Sequence, residues 1–259
     1  DVEELNYGNF MGALAEHQGH QAPLMAEAAG VRCPATRYES ACASAGVAVR
    51  EAVRTVAAGD ADVVLAGGME RMTNLPTAEV TEGLAMAADD LFEVRSGVTF
   101  PGAYALMATA YFDAYGGERR DLAHIASKNH ANALPNEYAQ FRREVSVDEA
   151  MDAPPVAEPL HLYDACPITD GASALVIVSA EYAAEHDVDA PVAVTGTGQG
   201  TDRMALGDRE YLARTPAADD AAEAAYAAAG VGPDDVDVAE VHDCFTIAEV
   251  LATESLGLF

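Results

Sequence analysis

The sequence predicts an α/β fold, in which buried strands alternate with the helices that cover them. Residues 62–66 and 174–179 are short, mainly apolar runs, which are typical of strands buried on both faces of a sheet. Helical stretches lie between such runs, and three of them end at Gly30, Gly59 and Gly230, because glycine readily stops a helix. Helices and strands in this alternation indicate an α/β protein.

The elements predicted for the first two thirds of the chain are unevenly distributed. Residues 1–12 show no clear strand. Gly67-Gly68 follows the run at 62–66 directly and predicts a turn or a close approach to a ligand. Seven prolines lie in residues 71–167, so we expect loops and an inserted lid domain there. The sequence predicts helices at 20–29, from the Cys42 turn to about residue 58, at 104–115 and at 119–132, and strands at 36–38 and 62–66.

Regular elements return after residue 168. Thr215 followed by Pro216 is typical of the start of a helix. Thr246 and Glu249 have the spacing of a capping box, which predicts that the last helix starts there. The sequence predicts strands at 174–179, 192–195 and 236–241, and helices at 181–186, 215–229 and 246–256.

Cys42 lies at the predicted turn between the strand at 36–38 and the helix that follows. Val49, Val53 and Val56 give that helix one apolar face. Unpaired N–H groups at a helix N-terminus favour a thiolate, which is the form of cysteine that attacks. The small residues around Cys42 would let a substrate come close. The alternative, a buried and inert cysteine, fits the same stretch.

A second segment repeats this pattern. Glu39 and the Cys42 turn follow the glycine that ends the helix at residue 30, and Glu240 and residues 242–245 follow Gly230 at nearly the same spacing. The echo predicts a duplicated strand–turn–helix unit whose two turns would set Cys42 against His242. A chance alignment of two α/β units would give the same pattern.

The composition excludes several classes of function. Acidic residues number 43 against 14 basic ones, and the formal net charge is −29. Binding to nucleic acid needs a basic face, and an anionic membrane surface repels so acidic a chain, so we expect neither partner. No apolar run approaches the roughly 18 residues of a membrane-spanning helix, and no secretory leader is visible. We therefore predict a cytoplasmic protein.

The four cysteines do not predict a metal site. Cys33, Cys42, Cys166 and Cys244 form no C-x-x-C pair, which is the usual spacing of zinc ligands. Without a secretion signal, reduced thiols are expected. Cys33, Cys166 and Cys244 are interpreted as packing residues.

Several segments resemble the thiolase family. Residues 39–44 resemble its nucleophile region, residues 67–72 its glycine-rich turn, and residues 169–174 the strand that returns from its loop domain. Residues 242–245, His-Asp-Cys-Phe, are similar to the motif that many thiolases write Asn-Glu-Ala-Phe.

The form of these motifs resembles one branch of the family. His-Asp-Cys-Phe is the form found in the archaeal and sterol-carrier-protein-linked thiolases, and residues 100–107 and 136–141 also resemble that branch. The likeness runs in order over nearly the whole chain.

The resemblance implies a duplicated αβαβα sandwich of five layers with an inserted loop domain. On this basis, residues 1–72 are expected to be the first part of the N-terminal half and residues 73–167 the loop or lid domain. Residues 168–186 would return to the N-terminal half, and residues 187–259 would be an incomplete C-terminal half.

The resemblance also implies an activity and roles for particular residues. Family members transfer acyl groups between a cysteine and coenzyme A, condensing two acetyl-CoA to acetoacetyl-CoA or cleaving 3-ketoacyl-CoA. Cys42 would hold the acyl group as a thioester, and His242 would donate a hydrogen bond to a thioester oxygen in an oxyanion hole. Phe245, His130 and the Gly67-Gly68 pair would contact the substrate. Coenzyme A thioesters are the substrates, and no cofactor or metal is expected.

Two features of the family pattern have no counterpart here. Thiolases use a histidine in a Gly-His-Pro loop and a second cysteine in a Cys-x-Gly loop, and neither segment occurs in the 259 residues. We therefore expect a thiolase truncated at both ends, which would be insoluble or molten when expressed alone. A non-catalytic subunit that binds acyl-CoA or a partner is the alternative to an active thiolase, and a ketoacyl synthase is a third reading.

The resemblance implies partners as well. Thiolases of this branch suggest a homodimer or homotetramer, and an association with an HMG-CoA synthase of the mevalonate pathway and a zinc-bearing OB-fold scaffold protein. No Lys/Arg cluster for the coenzyme A phosphates is evident, and Arg119-Arg120 and Arg142-Arg143 are the only candidates.

The net charge predicts a protein adapted to high salt, and an ordinary acidic mesophilic protein is the alternative. With −29 on 259 residues, self-repulsion should destabilise the fold at low ionic strength. The screening length falls from about 10 Å at 0.1 M salt to about 3 Å at 1 M, so the thermal midpoint should be higher in 1 M KCl than in 0.1 M. Equal midpoints in the two solutions would exclude the high-salt hypothesis.

Overall fold

The computed structural model describes residues 2–259, which form two compact units. The first unit runs to Leu84 and includes Ile168–Thr197, and the second comprises Ala85–Pro167 and Gly198–Phe259. The α-helices α1–α10 are Gly12–Ala15, Gln21–Ala28, Ser44–Ala58, Thr77–Ala85, Phe100–Tyr115, Arg119–Ala133, Val147–Asp152, Ala180–Glu185, Pro216–Ala229 and Thr246–Ser255. The strands β1–β6 are Glu4–Gly8, Ala35–Tyr38, Val63–Glu70, Pro155–Ala157, Leu160–His161 and Gly171–Val178. The four-part domain division implied by the resemblance remains a prediction.

A four-stranded mixed sheet organises the first unit. Its order is β2-β1-β3-β6, with β1 parallel to both neighbours and β6 antiparallel to β3. The expectation of no clear strand in residues 1–12 was wrong, since β1 lies between β2 and β3. The strand was hard to detect because Leu5 and Tyr7 alternate with polar residues in a run of only five, although both side chains are buried.

The turn expected at Gly67-Gly68 is absent, because β3 continues through both glycines to Glu70. Gly67 lies opposite Tyr7 of β1 and Ala174 of β6, and Gly68 lies opposite Gly8 and Ser173. The two glycines therefore belong to the middle of the sheet. At this position the two glycines leave room for neighbouring backbone, and the chain does not change direction.

The start of α3 packs directly on the sheet at two of these glycines. A Cβ atom added to Gly8 would lie 2.4 Å from Cα of Ala45, and one added to Gly68 would lie 2.7 Å from Cβ of Ala45. Ala48 and Ala52 continue the contact along the helix and are fully buried. The helix that follows Cys42 can thus approach the sheet only because both strands carry glycine at this point.

Residues 71–167 hold more regular structure than the prolines indicated. The helices predicted at 104–115 and 119–132 are present as α5 and α6. Helices α4 and α7 and the pair β4–β5 lie where loops were expected. Helix α5 begins earlier than predicted, at Phe100, because Oγ1 of Thr99 accepts a hydrogen bond from N–H of Gly102 and Pro101 fits the first turn.

Two predicted strands do not form. Residues 192–195 and 236–241 have no strand structure in the described chain, and Val192 and Val238 are 82% and 80% exposed. Both runs have the composition of strands, but a strand exists only where a neighbour pairs its N–H and C=O groups. The second copy of the strand–turn–helix unit therefore lacks its strand in this structure.

Helices α9 and α10 occupy their predicted places. Thr215 is the N-cap residue of α9 and Pro216 opens the helix, as predicted, but the Thr215 side chain makes no capping bond and its hydroxyl lies 2.9 Å from that of Ser255. The capping box predicted for α10 is wrong. The N-cap of α10 is Phe245, and Thr246 donates to Oδ1 of buried Asp164 at 2.9 Å. Tertiary partners have taken the hydroxyls that local spacing assigned to the helix ends.

The core of the second unit forms around α5, α6 and α10. Among its buried members are Leu122, Leu160, Ile247 and Leu251. Across residues 2–259, no helix combines the length and the apolar character that a membrane crossing requires.

The packing of Ala45 makes a testable prediction about stability. Gly8→Ala in the full-length protein should lower the free energy of unfolding by about 1–3 kcal/mol, because the added methyl overlaps α3 backbone. Gly46→Ala is the matched control, since a Cβ there meets nothing within 4 Å and should stabilise the helix by about 0.5–1 kcal/mol. Urea unfolding measures both, and equal free energies for the two variants would refute the packing argument.

Candidate active site

Cys42 stands on a tight, strained turn between β2 and α3. Ala41 has a left-handed backbone, with φ of 48°, which costs energy for a residue with a Cβ atom. N–H of Ala43 donates to the carbonyl of Ser40 at 2.9 Å, and N–H of Ser44 donates to that of Ala41 at 3.1 Å. The turn thereby brings Cys42 to the surface just before the first residue of the helix.

The side chain of Ser44 holds this turn together. Its Oγ accepts from N–H of Ser40 at 2.9 Å and donates to the carbonyl of Ala41 at 2.6 Å. Ser44 is buried, so these bonds are shielded from competing water. Glu39 adds a bond to N–H of Ala41 at 2.7 Å. This network fixes the backbone on both sides of Cys42.

The pKa of the Cys42 thiol is shifted in the direction opposite to the prediction. Desolvation by the surrounding protein raises the pKa, and the carboxylate of Glu70 raises it further, whereas the backbone hydrogen bond at Cys42 lowers it. The side chain is exposed by area, yet the protein around it removes enough water for desolvation to be the largest effect. The thiol is therefore protonated at neutral pH, and a base must remove its proton before it can attack.

Glu70 organises the loop that follows β1, a role that its position in a glycine-rich motif did not reveal. Its carboxylate accepts from N–H of Phe10 at 2.8 Å, from N–H of Met11 at 3.1 Å and from Nδ2 of Asn9 at 2.7 Å. Arg37 of β2 reaches the same loop and donates to the carbonyls of Asn9 and Phe10. Burial raises the pKa of Glu70 despite these bonds. The loop is thus fixed to the ends of β2 and β3.

His242 lies in the second unit, where it is one of the residues that line an apolar cavity. The cavity has a volume of about 390 Å³, and Phe100, Tyr104, Met107 and Leu251 are among its lining residues. His242 is exposed and follows the irregular segment 236–241. It therefore offers an imidazole beside a hollow with apolar walls.

Phe245 supports the wall of this cavity from behind. It is 7% exposed, and its ring stacks on that of Tyr104 with 4.6 Å between centroids. Of the two rings, Tyr104 is the one that lines the cavity. Direct contact of Phe245 with a substrate remains a prediction.

His130 lines a different hollow of the same unit. That hollow has a volume of about 330 Å³ and is also lined by Phe141, Tyr163 and Asp243. The His130 ring meets Tyr163 edge-on at 5.6 Å, and its Nδ1 lies 3.3 Å from the carbonyl of Arg143. Asp243 connects this hollow to the turn that carries His242.

The Gly67-Gly68 pair lines an apolar groove of about 400 Å³ in the first unit. Leu5, Met25 and Ala172 are among its other lining residues. The groove lies along strands and one helix of the sheet, so the glycines belong to the scaffold, and a contact with substrate at this point stays a prediction.

The two arginine pairs proposed for coenzyme A phosphates are used within the second unit. Arg119 donates to the carbonyls of Ala150 and Met151, both at 2.7 Å. Three further contacts engage the other guanidinium groups: Arg120 pairs with Asp148 at 3.1 Å, Arg142 donates to the carbonyl of Leu134, and Arg143 pairs with Glu149 at 2.6 Å. Within residues 2–259, no group of three or more His, Cys, Asp or Glu side chains could hold a metal ion.

Two family models match the chain and together cover most of it. The model described as "Thiolase, N-terminal domain" matches residues 1–181, and the one described as "Thiolase C-terminal domain-like" matches residues 198–259. The chain belongs to the thiolase family, as its motifs predicted.

Curated relatives indicate the branch of the thiolase family to which the chain is similar. An acetyl-CoA acetyltransferase of Methanothermobacter thermautotrophicus is 41% identical over 258 residues, which are 99% of this chain and 67% of the relative. One of Methanocaldococcus jannaschii is 42% identical over 259 residues, with 99% and 66% covered. Sterol carrier protein 2 of Rattus norvegicus is 32% identical over 236 residues, with 87% and 43% covered. The predicted archaeal and sterol-carrier-protein-linked branch is confirmed, and the chain spans about two thirds of the length of the archaeal relatives.

The fold has solved counterparts. The Ltp2-ChsH2(DUF35) aldolase superposes with a TM-score of 0.78 at 23% identity, over 100% of this chain and 66% of that one. The thiolase-like α/β fold is therefore confirmed.

The environment of Cys42 predicts how its reactivity depends on pH. Because the folded-state pKa is raised, alkylation of Cys42 by iodoacetamide should rise with a midpoint above the ordinary thiol value of about 9. Glu70→Gln removes a nearby negative charge and should lower that midpoint. Glu16→Gln, which removes a carboxylate elsewhere in the first unit, is the control. Peptide mass mapping at each pH follows Cys42 alone, and a midpoint that stays fixed or rises in Glu70→Gln would contradict the assignment.

Proposed function

We propose that the full-length protein containing this chain transfers acyl groups through a thioester on Cys42. The reaction condenses two acetyl-CoA to acetoacetyl-CoA or cleaves 3-ketoacyl-CoA in the reverse direction. The observation that carries the proposal is the Cys42 turn, where a cysteine reaches solvent on a backbone that Ser44 holds rigid. The relatives named acetyl-CoA acetyltransferases favour this activity over a non-catalytic subunit.

The first half-reaction loads Cys42. Its Sγ attacks the carbonyl carbon of acetyl-CoA, the bond from that carbon to the coenzyme A sulfur breaks, and coenzyme A leaves as a thiol with the proton that Cys42 lost. Because the pKa of Cys42 is raised, a base has to take the proton during the attack. The rigid turn contributes by presenting the sulfur in one orientation.

The second half-reaction forms the carbon–carbon bond. A proton leaves the α-carbon of a second acetyl-CoA, and that carbon attacks the carbonyl carbon of the acyl-cysteine. The bond to Sγ of Cys42 breaks, and the thiolate takes up a proton. Negative charge develops on a thioester oxygen in this sequence, and a hydrogen bond from the His242 imidazole would stabilise it.

Cys42 belongs to the first unit and His242 to the second. The cavity that His242 lines supports the role proposed for His242, because its apolar walls suit an acyl group while the imidazole supplies a polar partner. Specificity for acetyl over longer acyl groups depends on how the substrate fills this cavity.

The wider setting follows from the same family membership. We infer a cytoplasmic homodimer or homotetramer that acts in the mevalonate pathway with an HMG-CoA synthase and a zinc-bearing OB-fold scaffold protein. The name of one fold neighbour includes a DUF35 component, which supports a partner protein of scaffold type.

Trapping the acyl-enzyme tests the proposal. Full-length protein incubated with labelled acetyl-CoA and quenched in acid should carry one acetyl group, on the peptide that contains Cys42. Cys42→Ala should abolish the label and lower turnover by at least about 10³-fold, the scale of losing a covalent nucleophile. Cys166→Ala removes the other exposed cysteine and should keep the label. An acetyl group on Cys166 or Cys244 with Cys42 unmodified would overturn the assignment.

A further inference from the structure

We propose that Asn129 of α6 is a positioning residue for His242, which it acts on by holding the side chain of Asp243. This inference rests on the proposed function, because it assigns to Asn129 the orientation of the group that would stabilise the thioester oxygen. It concerns only residues of the second unit.

Asn129 lies at the centre of a closed polar network. Its Nδ2 donates to Oδ2 of Asp243 at 2.7 Å and to Oε2 of Glu249 at 2.8 Å. Lys128 closes the network, with Nζ 2.6 Å from Oδ1 of Asn129 and 2.8 Å from Oε1 of Glu249. One amide thus uses both of its hydrogens on two carboxylates, and its oxygen faces an ammonium group.

The network contains the single lysine of a strongly acidic chain. Lys128 is the sole lysine among 259 residues, and its carboxylate partner Glu249 has a side chain only 13% exposed. Without donors between them, Asp243 and Glu249 would repel each other. Hydrogen bonds to carboxylates are about twice as strong as those between neutral groups. Asn129 and Lys128 therefore offset the repulsion between the two carboxylates, and they hold Asp243 against α6.

Three further contacts hold the residues that follow Asp243. The carbonyl of Cys244 accepts from N–H of Cys166 at 3.0 Å, Phe245 stacks on Tyr104, and Thr246 donates to buried Asp164. Every position from 243 to 246 therefore has an anchor in the second unit.

His242 is the first residue upstream of these anchors. Its own side chain is exposed, and residues 236–241 before it form no strand or helix. The bond from Asn129 to Asp243 is the side-chain anchor next to His242 along the chain, so it limits the directions in which the imidazole can point. Anchors at 244–246 would keep the fold intact without it.

In this arrangement, the orientation of the His242 imidazole depends on Asn129, whereas the stability of the second unit depends on other contacts. Removing Asn129 should leave α10 and the core in place and allow the His242 backbone to rotate. Because a displacement of about 1 Å can cost about 10²-fold in rate, kcat should fall by about 10- to 100-fold while KM for acyl-CoA changes little.

The test is a double-mutant cycle in the full-length protein, with thiolysis of acetoacetyl-CoA as the assay. Asn129→Ala and Asp243→Ala should each lower kcat by about 10- to 100-fold, and the double variant should lose no more than either alone, because both remove one contact. Asp243→Asn keeps an acceptor oxygen for Asn129 and should retain most of the wild-type kcat. Asn132→Ala, an exposed asparagine on the same helix, is the matched control and should leave kcat and KM unchanged.

The outcomes separate this inference from the proposed function. Wild-type kcat in His242→Ala would refute the role of His242 and the inference with it. If His242→Ala is impaired but Asn129→Ala keeps kcat within twofold of wild type, the positioning role alone is refuted. Losses that multiply in the double variant would also refute it. If Asn129→Ala does not fold, the comparison of Asp243→Ala with Asp243→Asn decides, and equal kcat in those two variants would overturn the proposal.

Discussion

The position of Cys42 depends on a close contact between one helix and two strands. Ala45, three residues after Cys42, touches the sheet where β1 and β3 carry Gly8 and Gly68. A side chain at either glycine would push the helix away and take the turn at residues 40–44 with it. The glycine-rich motif of this chain therefore supports the Cys42 turn indirectly, by setting the distance between a helix and a sheet.

Each of the two units supplies its own candidate residues. The first unit supplies a cysteine on a rigid turn but raises its pKa, so the turn contributes geometry and not acidity. The second unit supplies an imidazole beside an apolar cavity and anchors the residues downstream of it. In both units, an exposed side chain stands on or next to backbone that side-chain hydrogen bonds hold in place.

The sequence predicted those elements whose signal is local. Helices that end at Gly59 and Gly230 were correct because a left-handed glycine stops a helix regardless of its surroundings. The strands proposed at 192–195 and 236–241 were wrong because pairing depends on a neighbour that the run itself does not encode. Strand β1 was missed because its own sequence has little apolar character. It is stabilised by pairing with β2 and β3, which the run itself does not encode.

The same distinction applies to the candidate site. The motifs pointed to Cys42 and His242 as candidate residues, yet gave no role to Ser44 or Glu70, which lie within the same motifs, and none to Asn129. The partners of Glu70 and Asn129 are distant in the chain and are set by the fold. The bond from Asn129 to Asp243 spans 114 positions of the chain, and no spacing rule reaches that far. Lys128 was visible as a lone lysine, but only the structure gives it a neighbour.

That lone lysine has a practical consequence. Because every other basic side chain except histidine is an arginine, amine-directed reagents find a single lysine among these 259 residues. It lies on α6 next to Asn129, the residue that bonds to Asp243. A cross-linker or fluorophore placed there would report distances from one known point. Because Lys128 contacts Asn129, which bonds to Asp243, a group attached there would report on movements of the His-Asp-Cys-Phe turn.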